Sequence, residues 1–170
     1  HEIRTPMNGI LGMAHLLRRD GVTPAQADRL DKIDTAARHL LGIMSSILDY
    51  SKIEAGKFVL EQAPVQVEKV LRNVVDMLAE RIKAKNIEVA VAVGPVPASL
   101  LGDETRLQQA LLNYATNAVK FTDAGTVSLR VSTQDETLDC AVLRFEVQDT
   151  GVGIPAQALP RLFSAFEQAD

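Results

Sequence analysis

Apolar residues in the first fifth of the chain recur as Ile3, Met7, Ile10, Ala14 and Leu17. Spacings of four and three make one stripe of an amphipathic helix. The pattern stops at Arg18-Arg19-Asp20-Gly21, cations followed by a glycine, which is a helix terminus. Thr23-Pro24-Ala25-Gln26 then starts a second helix: Thr23 caps, Pro24 suits the first helical position, and Gln26 reaches back to complete a capping box. Behind it Leu30, Ile33, Ala37, Leu40, Met44 and Ile47 alternate by three and four, the narrow seam of a coiled coil or bundle. From Pro24 to Lys52 this helix is ~43 Å long at 1.5 Å per residue. A short joint makes the pair an antiparallel hairpin. One hairpin cannot cover its own seam, so a homodimeric four-helix bundle is expected.

After Glu54-Ala55-Gly56 the pattern becomes mixed. Lys57–Leu60 reads as a short strand and Val65–Lys85 as a helix. Ile87, Val89, Val91 and Val93 alternate as a strand, and Glu104–Phe121 is helical. Two more alternating strands follow, on Val127, Leu129 and Val131 and on Ala141, Leu143, Phe145 and Val147. A last helix is expected over Gln157–Phe166. Helices and strands without strict alternation imply an α+β fold with a sheet sandwiched against helices. The expected domains are 1–55 and 56–170.

Composition excludes several classes. With 18 Lys+Arg against 22 Asp+Glu the formal charge is −4, and no basic run exists, so no nucleic-acid partner is expected. A hydrophobic share of 46% with 24% charged residues is globular, not disordered. No apolar stretch reaches the ~18 residues of a membrane span, so no membrane contact is expected from this segment. The single cysteine, Cys140, fits a reducing compartment and is expected to pack as a small hydrophobe at a strand start. A cytoplasmic location is expected, compatible with an inner-membrane anchor in a parent protein. His15 and His39 read as surface and bundle-edge residues.

Three patterns carry candidate chemistry. On the helix Glu104–Phe121, Leu107, Ala110, Leu111, Leu112, Tyr114, Ala115, Ala118 and Val119 make most of the circumference apolar, so extensive burial is expected. Against them Arg106, Gln109, Asn113, Asn117 and Lys120 form one polar stripe. Either it is a solvated face, or it grips a ligand: two mid-helix asparagines cost helix stability, and a carboxamide oxygen suits Mg²⁺. Asp149-Thr150-Gly151-Val152-Gly153 follows a strand. It is either a plain turn or a loop whose glycines admit a ligand and whose Asp accepts from an exocyclic amine. His1-Glu2-Ile3-Arg4-Thr5-Pro6 is either a frayed end or a nucleophilic imidazole with its tautomer held by a carboxylate.

Together the patterns resemble a family. His1-Glu2-Ile3-Arg4-Thr5-Pro6-Met7-Asn8-Gly9-Ile10 is similar to the phosphoacceptor box of two-component sensor histidine kinases. Asn113-Tyr114-Ala115-Thr116-Asn117-Ala118-Val119-Lys120-Phe121-Thr122 resembles their asparagine box, and Asp149–Ile154 their first glycine box. Leu162-Phe163-Ser164-Ala165-Phe166 resembles the phenylalanine box, and Ser51–Gly56 the joint between domains. The Met7-Asn8 form is most similar to hybrid kinases.

The resemblance implies a dimerisation and phosphoacceptor hairpin followed by an ATP-binding domain of the GHKL type, with ATP and Mg²⁺ as cofactors. It implies that His1 accepts the γ-phosphoryl group, Glu2 assists, and Thr5 orients water in dephosphorylation. It implies Asn117 as Mg²⁺ ligand, Asn113 framing the same site, and Lys120 on phosphate. Phe121 would pack on the base, Asp149 would recognise adenine, and Gly151 and Gly153 would free the loop. Phe163 and Phe166 would anchor a lid. The implied partners are a second copy of the chain and a response-regulator receiver domain. Both ends read as cut, and the family's second glycine box is absent from the segment. An incomplete sandwich, weak nucleotide affinity and little autophosphorylation are therefore expected of the segment itself. The alternatives are a dimerising scaffold or catalytically inactive interaction module, and an ATP hydrolase of the same nucleotide fold. Against hydrolysis stands the carboxamide of Asn113, where such enzymes carry a glutamate.

Overall fold

The computed structural model describes residues 3–161. The chain forms two compact units, His1–Val59 and Leu60–Asp170.

The first unit is a helical hairpin of α1 (Arg4–Arg19) and α2 (Pro24–Glu54). The turn between them is built as its residue types require. Gly21 takes a φ of +92°, the left-handed conformation that ends α1. The Thr23 hydroxyl accepts from the Gln26 amide at 3.4 Å, and the Gln26 side chain accepts from the Thr23 amide at 2.9 Å, closing the capping box. Arg18 pairs with Asp31 across the two helices. At the other end α2 finishes in a Schellman motif: Lys57 N–H donates to Lys52 O, Gly56 N–H to Ile53 O, and Gly56 has φ +64°.

Inside this hairpin only Ala14, Leu30 and Ala37 are buried among the described apolar positions. Ile3, Ile10, Leu17, Ile33, Leu40 and Ile47 keep two-fifths or more of their surface in water, Ile47 as much as 59%. The seam that the spacing predicts is present and its greater part is uncovered within one chain.

The second unit contains β1 (Ala63–Pro64), α3 (Val67–Ala84), β2 (Glu88–Val93), β3 (Leu101–Gly102), α4 (Glu104–Phe121), β4 (Thr126–Glu136) and β5 (Ala141–Asp149). A one-turn 3₁₀ helix follows at Leu159–Arg161. The main sheet has the order β2-β4-β5, with β2 parallel and β5 antiparallel to β4. β4 therefore lies in the middle and its Val127, Leu129 and Val131 are buried, as their alternation requires. Val70, Leu71 and Val74 of α3 and Leu111, Ala115 and Val119 of α4 pack with them in one core. Complete burial of Leu71 alone contributes ~1.5–3 kcal/mol. Val91 and Val93 of the edge strand β2 stay 40% and 39% exposed, so only the first half of that strand joins the core.

α3 also ends in a Schellman motif, with Asn86 at φ +52° in the position usually given to glycine. Ile87 N–H donates to Ile82 O at 3.1 Å and Asn86 N–H to Lys83 O at 3.2 Å. Buried Ile87 supplies the apolar contact of the motif.

Four expectations need correction. Lys57–Leu60 forms no strand; the extended pairing falls instead on Ala63–Pro64, antiparallel to Leu101–Gly102. The expected helix over Gln157–Phe166 is a turn and a 3₁₀ segment as far as Arg161, because Pro155 and Pro160 withhold amide donors; the rest lies outside the described residues. α4 is buried on one side only: Tyr114 is 58% exposed, since a single sheet and one helix neighbour cover it. Cys140 is exposed in the turn between β4 and β5, where its N–H donates to the Thr137 hydroxyl.

Candidate functional site

Two segments of the second unit converge, and backbone groups do the joining. α4 begins at Asp103, whose Oδ1 accepts from the Arg106 amide at 3.0 Å. Its Oδ2 accepts from the Glu61 amide at 3.2 Å, so the same carboxylate pins the segment leading to β1. The Arg106 amide first, and the Glu61 amide second, hold this carboxyl below the usual Asp range.

At its other end α4 stops at Phe121, and Thr122 turns to an extended conformation. The Phe121 carbonyl accepts from the Val152 amide at 3.3 Å. The loop after β5 is thereby tied to the last turn of α4. Its first part is also fixed: Thr150 Oγ1 accepts from the Thr126 amide at 2.9 Å, and the Thr150 amide donates to Thr126 O at 3.2 Å. Asp149 Oδ1 accepts from the Gly151 amide at 2.9 Å, an Asx turn that fixes the carboxylate's orientation.

The two glycines differ in their reasons. A Cβ on Gly151 would overlap the Phe121 carbonyl oxygen and lie 2.8 Å from its carbon. Gly151 is thus required by the close approach of the loop to α4. Gly153 has free space around it but a φ of +72°, which L side chains rarely adopt.

Along α4, Asn113 and Asn117 are exposed one turn apart, ~6 Å along the axis. Among the described residues neither carboxamide has a hydrogen-bond partner. Their oxygens are thus available to a hard cation, and a single carboxamide suits Mg²⁺ when phosphate and water complete its shell. Lys120 Nζ lies 4.7 Å from the centroid of the Phe121 ring, which is 45% exposed. The structure therefore brings Lys120, Phe121, Asp149 and Gly151 together around one hydrogen bond, with Asn117 on the preceding turn.

Thr5 is exposed in the first turn of α1. His1 and Glu2 lie outside the described residues, as do Phe163 and Phe166. Sequence reasoning missed Asp103 as a bridging cap, Thr150 as the pin on β4, and Lys85. The ammonium of Lys85 reaches the α4 terminus from the end of α3. An Asp before a helical run was a readable sign for the first; the other two act across distant segments and leave no local trace.

Comparison with known proteins places these features. Residues 1–56 match the family described as His Kinase A (phospho-acceptor) domain. Residues 102–170 match the Histidine kinase-, DNA gyrase B-, and HSP90-like ATPase family. The chain is 47% identical over 171 residues to the sensor protein GacS of Pseudomonas syringae pv. syringae, covering 100% of this chain and 19% of that protein. It thus spans about a fifth of the length of such curated relatives. It is also similar to full-length ShkA in complex with AMPPNP, with TM-score 0.76 and 43% identity over 100% of this chain and 36% of that one. The histidine kinase ThkA in complex with the response regulator protein TrrA gives TM-score 0.59 at 25% identity, over 99% and 48% of the two chains. A helical hairpin followed by an α/β ATPase-like unit, with both family matches in that order, means that this chain carries a histidine-kinase phosphoacceptor domain and a histidine-kinase-type ATPase domain and is homologous to sensor histidine kinases along all of its residues.

Proposed function

We propose that the chain carries the phosphoacceptor and the adenine- and Mg²⁺-binding half of an ATP-dependent protein-histidine kinase. The observation that carries this reading is the Phe121–Val152 hydrogen bond, which joins the asparagine helix to the aspartate–glycine loop. Residues 1–55 are the phosphoacceptor and dimerisation part, and residues 56–170 the nucleotide-binding part.

In this reading Asp149 keeps Oδ1 on the Gly151 amide and offers Oδ2 to the exocyclic amine of adenine. Gly151 lets the loop lie against α4, and Gly153 gives it the left-handed turn beside the base. Phe121 packs on the base once Lys120 leaves its ring for phosphate. Asn117 Oδ1 holds the metal and Asn113 frames its shell. Mg²⁺, when bound, neutralises charge on the transferring phosphoryl group. His1 supplies the imidazole nucleophile and Glu2 assists it. Thr5 orients water when the kinase dephosphorylates its partner.

The uncovered apolar stripe of the hairpin supports pairing with a second copy into a four-helix bundle. The ThkA–TrrA complex supports a response-regulator receiver domain as the acceptor of the phosphoryl group. No described helix is long and apolar enough to cross a membrane. In the full-length kinase that contains this chain, incubation with labelled ATP and Mg²⁺ should place acid-labile label on His1, and Asn117→Ala should abolish it. Label that survives Asn117→Ala, or appears on no histidine, overturns the reading. The same uncovered stripe favours a second reading, a scaffold that dimerises without chemistry; in that case Asn117→Ala changes no measured property of nucleotide binding.

A further inference from the structure

The end of α4 is completed by two donors from outside the helix. Thr122 N–H satisfies Ala118 O at 3.1 Å. The next three carbonyls, on Val119, Lys120 and Phe121, have no amide ahead of them in the helix. Val152 N–H takes Phe121 O. Lys85 Nζ takes the other two, donating to Val119 O at 3.0 Å and to Lys120 O at 2.8 Å. Its third hydrogen goes to Thr122 O at 2.9 Å, and Asp123 Oδ1 lies 3.4 Å away as a charge partner. An ammonium has three donors and no acceptor, so Lys85 is saturated by this one helix end. A positive charge there also complements the negative end of the helix dipole.

The clamp is held from behind. Lys85 is the C-cap of α3, and the Schellman bonds of Asn86 and Ile87 fix its backbone against the core. Its side chain is 34% exposed, whereas that of Asp123 is 93% exposed. The carbonyls therefore define the clamp, with the carboxylate as an outlying partner.

We infer that Lys85 is a positioning residue for the nucleotide site, holding the last turn of α4 so that Lys120, Phe121 and the Asp149–Gly153 loop keep their mutual geometry. The inference rests on the nucleotide-binding role proposed above. Without the ammonium, two carbonyls in the last turn lose their donor and Thr122 O loses its own. The turn then frays toward water, and the Phe121 carbonyl that anchors the loop moves with it.

The test uses Lys85→Met in the full chain, with residue-resolved amide exchange and titration with ADP and Mg²⁺. Exchange at Val152 and Thr122 should quicken selectively, with the Leu129 amide in the core strand unchanged. Mg–ADP affinity should fall at least about tenfold, the factor that corresponds to losing one charge-assisted bond of ~1.4 kcal/mol. Lys85→Arg, which keeps charge and donors, should recover much of the slow exchange and of the affinity. Unchanged exchange at Val152 overturns the inference, and so does uniform loss of protection through the core, which marks a merely structural lysine. If Lys85→Met does not fold, amine acetylation of the unaltered chain decides: Lys85 should label more slowly than Lys83, and equal rates overturn the clamp. A parent chain that binds no Mg–ADP overturns the nucleotide-binding proposal, while the exchange measurement still decides whether Lys85 holds the loop.

Discussion

Phe121 O and Val152 N–H are 3.3 Å apart, and this bond makes one body of a helix end and a glycine loop. Asn117, Lys120 and Phe121 hang from one side of it, Asp149 and Gly151 from the other. Displacing either side displaces the other.

Gly151 is the position where that displacement is easiest to force. Gly151→Ala puts a methyl group onto the Phe121 carbonyl, and backbone cannot swing aside as a side chain can. The expected cost is ~1–3 kcal/mol, typical of overpacking, with loss of Mg–ADP binding. Gly153→Ala has open space and meets only the strain of its left-handed backbone, ~1–2 kcal/mol. Urea unfolding with a parallel nucleotide titration separates them: Gly151→Ala should move the loop, and Gly153→Ala chiefly the stability.

Asp103 gives the second unit an acid sensitivity. Its carboxyl titrates below the ordinary value of about 3.9 because amides bond its ionised form. Between the native and unfolded values the unfolded chain binds more protons. The stabilisation is therefore present above the unfolded value and is lost as pH falls through the native one. Asp103→Asn should flatten the acid limb of stability below about pH 4 and leave its shape near neutrality unchanged. Urea midpoints taken across that range check it.

Asn86 adopts a left-handed conformation at the end of α3. Asn86→Gly should raise stability slightly, and Asn86→Ala should lower it by ~1 kcal/mol. The Ala variant should also loosen Lys85, so exchange at Val152 should quicken in Asn86→Ala and stay slow in Asn86→Gly.

Thr23→Ala removes the hydroxyl that caps α2. A loss of ~1 kcal/mol is expected in the helical hairpin. Faster exchange in the first turn of α2, with β4 unaffected, is the sign that checks it.

How far the sequence could be read follows from the range of each interaction. Thr23, Pro24 and Gln26 sit within four residues, and their capping box appears as expected. α4 runs from Glu104 to Phe121, the limits that its periodicity predicts. The paired strands Ala63–Pro64 and Leu101–Gly102 are two residues each, too short for any period to show. Asn113, Asn117 and Asp149 stood out because their residue types are costly or unusual where they occur. What unites them is a backbone bond, to which side-chain identity contributes only the glycine that permits it. Lys85 was silent for a related reason: at a helix end a lysine is commonplace, and only the fold brings the second helix to it.

Parallel pairing of β2 with β4, from Glu88 on Thr126 to Val93 on Val131, has a kinetic meaning. The strands cannot zip like a hairpin, because β3 and α4 lie between them along the chain. Closure of this pair must await the arrival of that crossover, whereas β4 and β5 are joined by a short turn and pair locally. Asp103 at the start of α4, and Lys85, which reaches the other end of that helix from α3, hold in place the crossover on which this pairing waits.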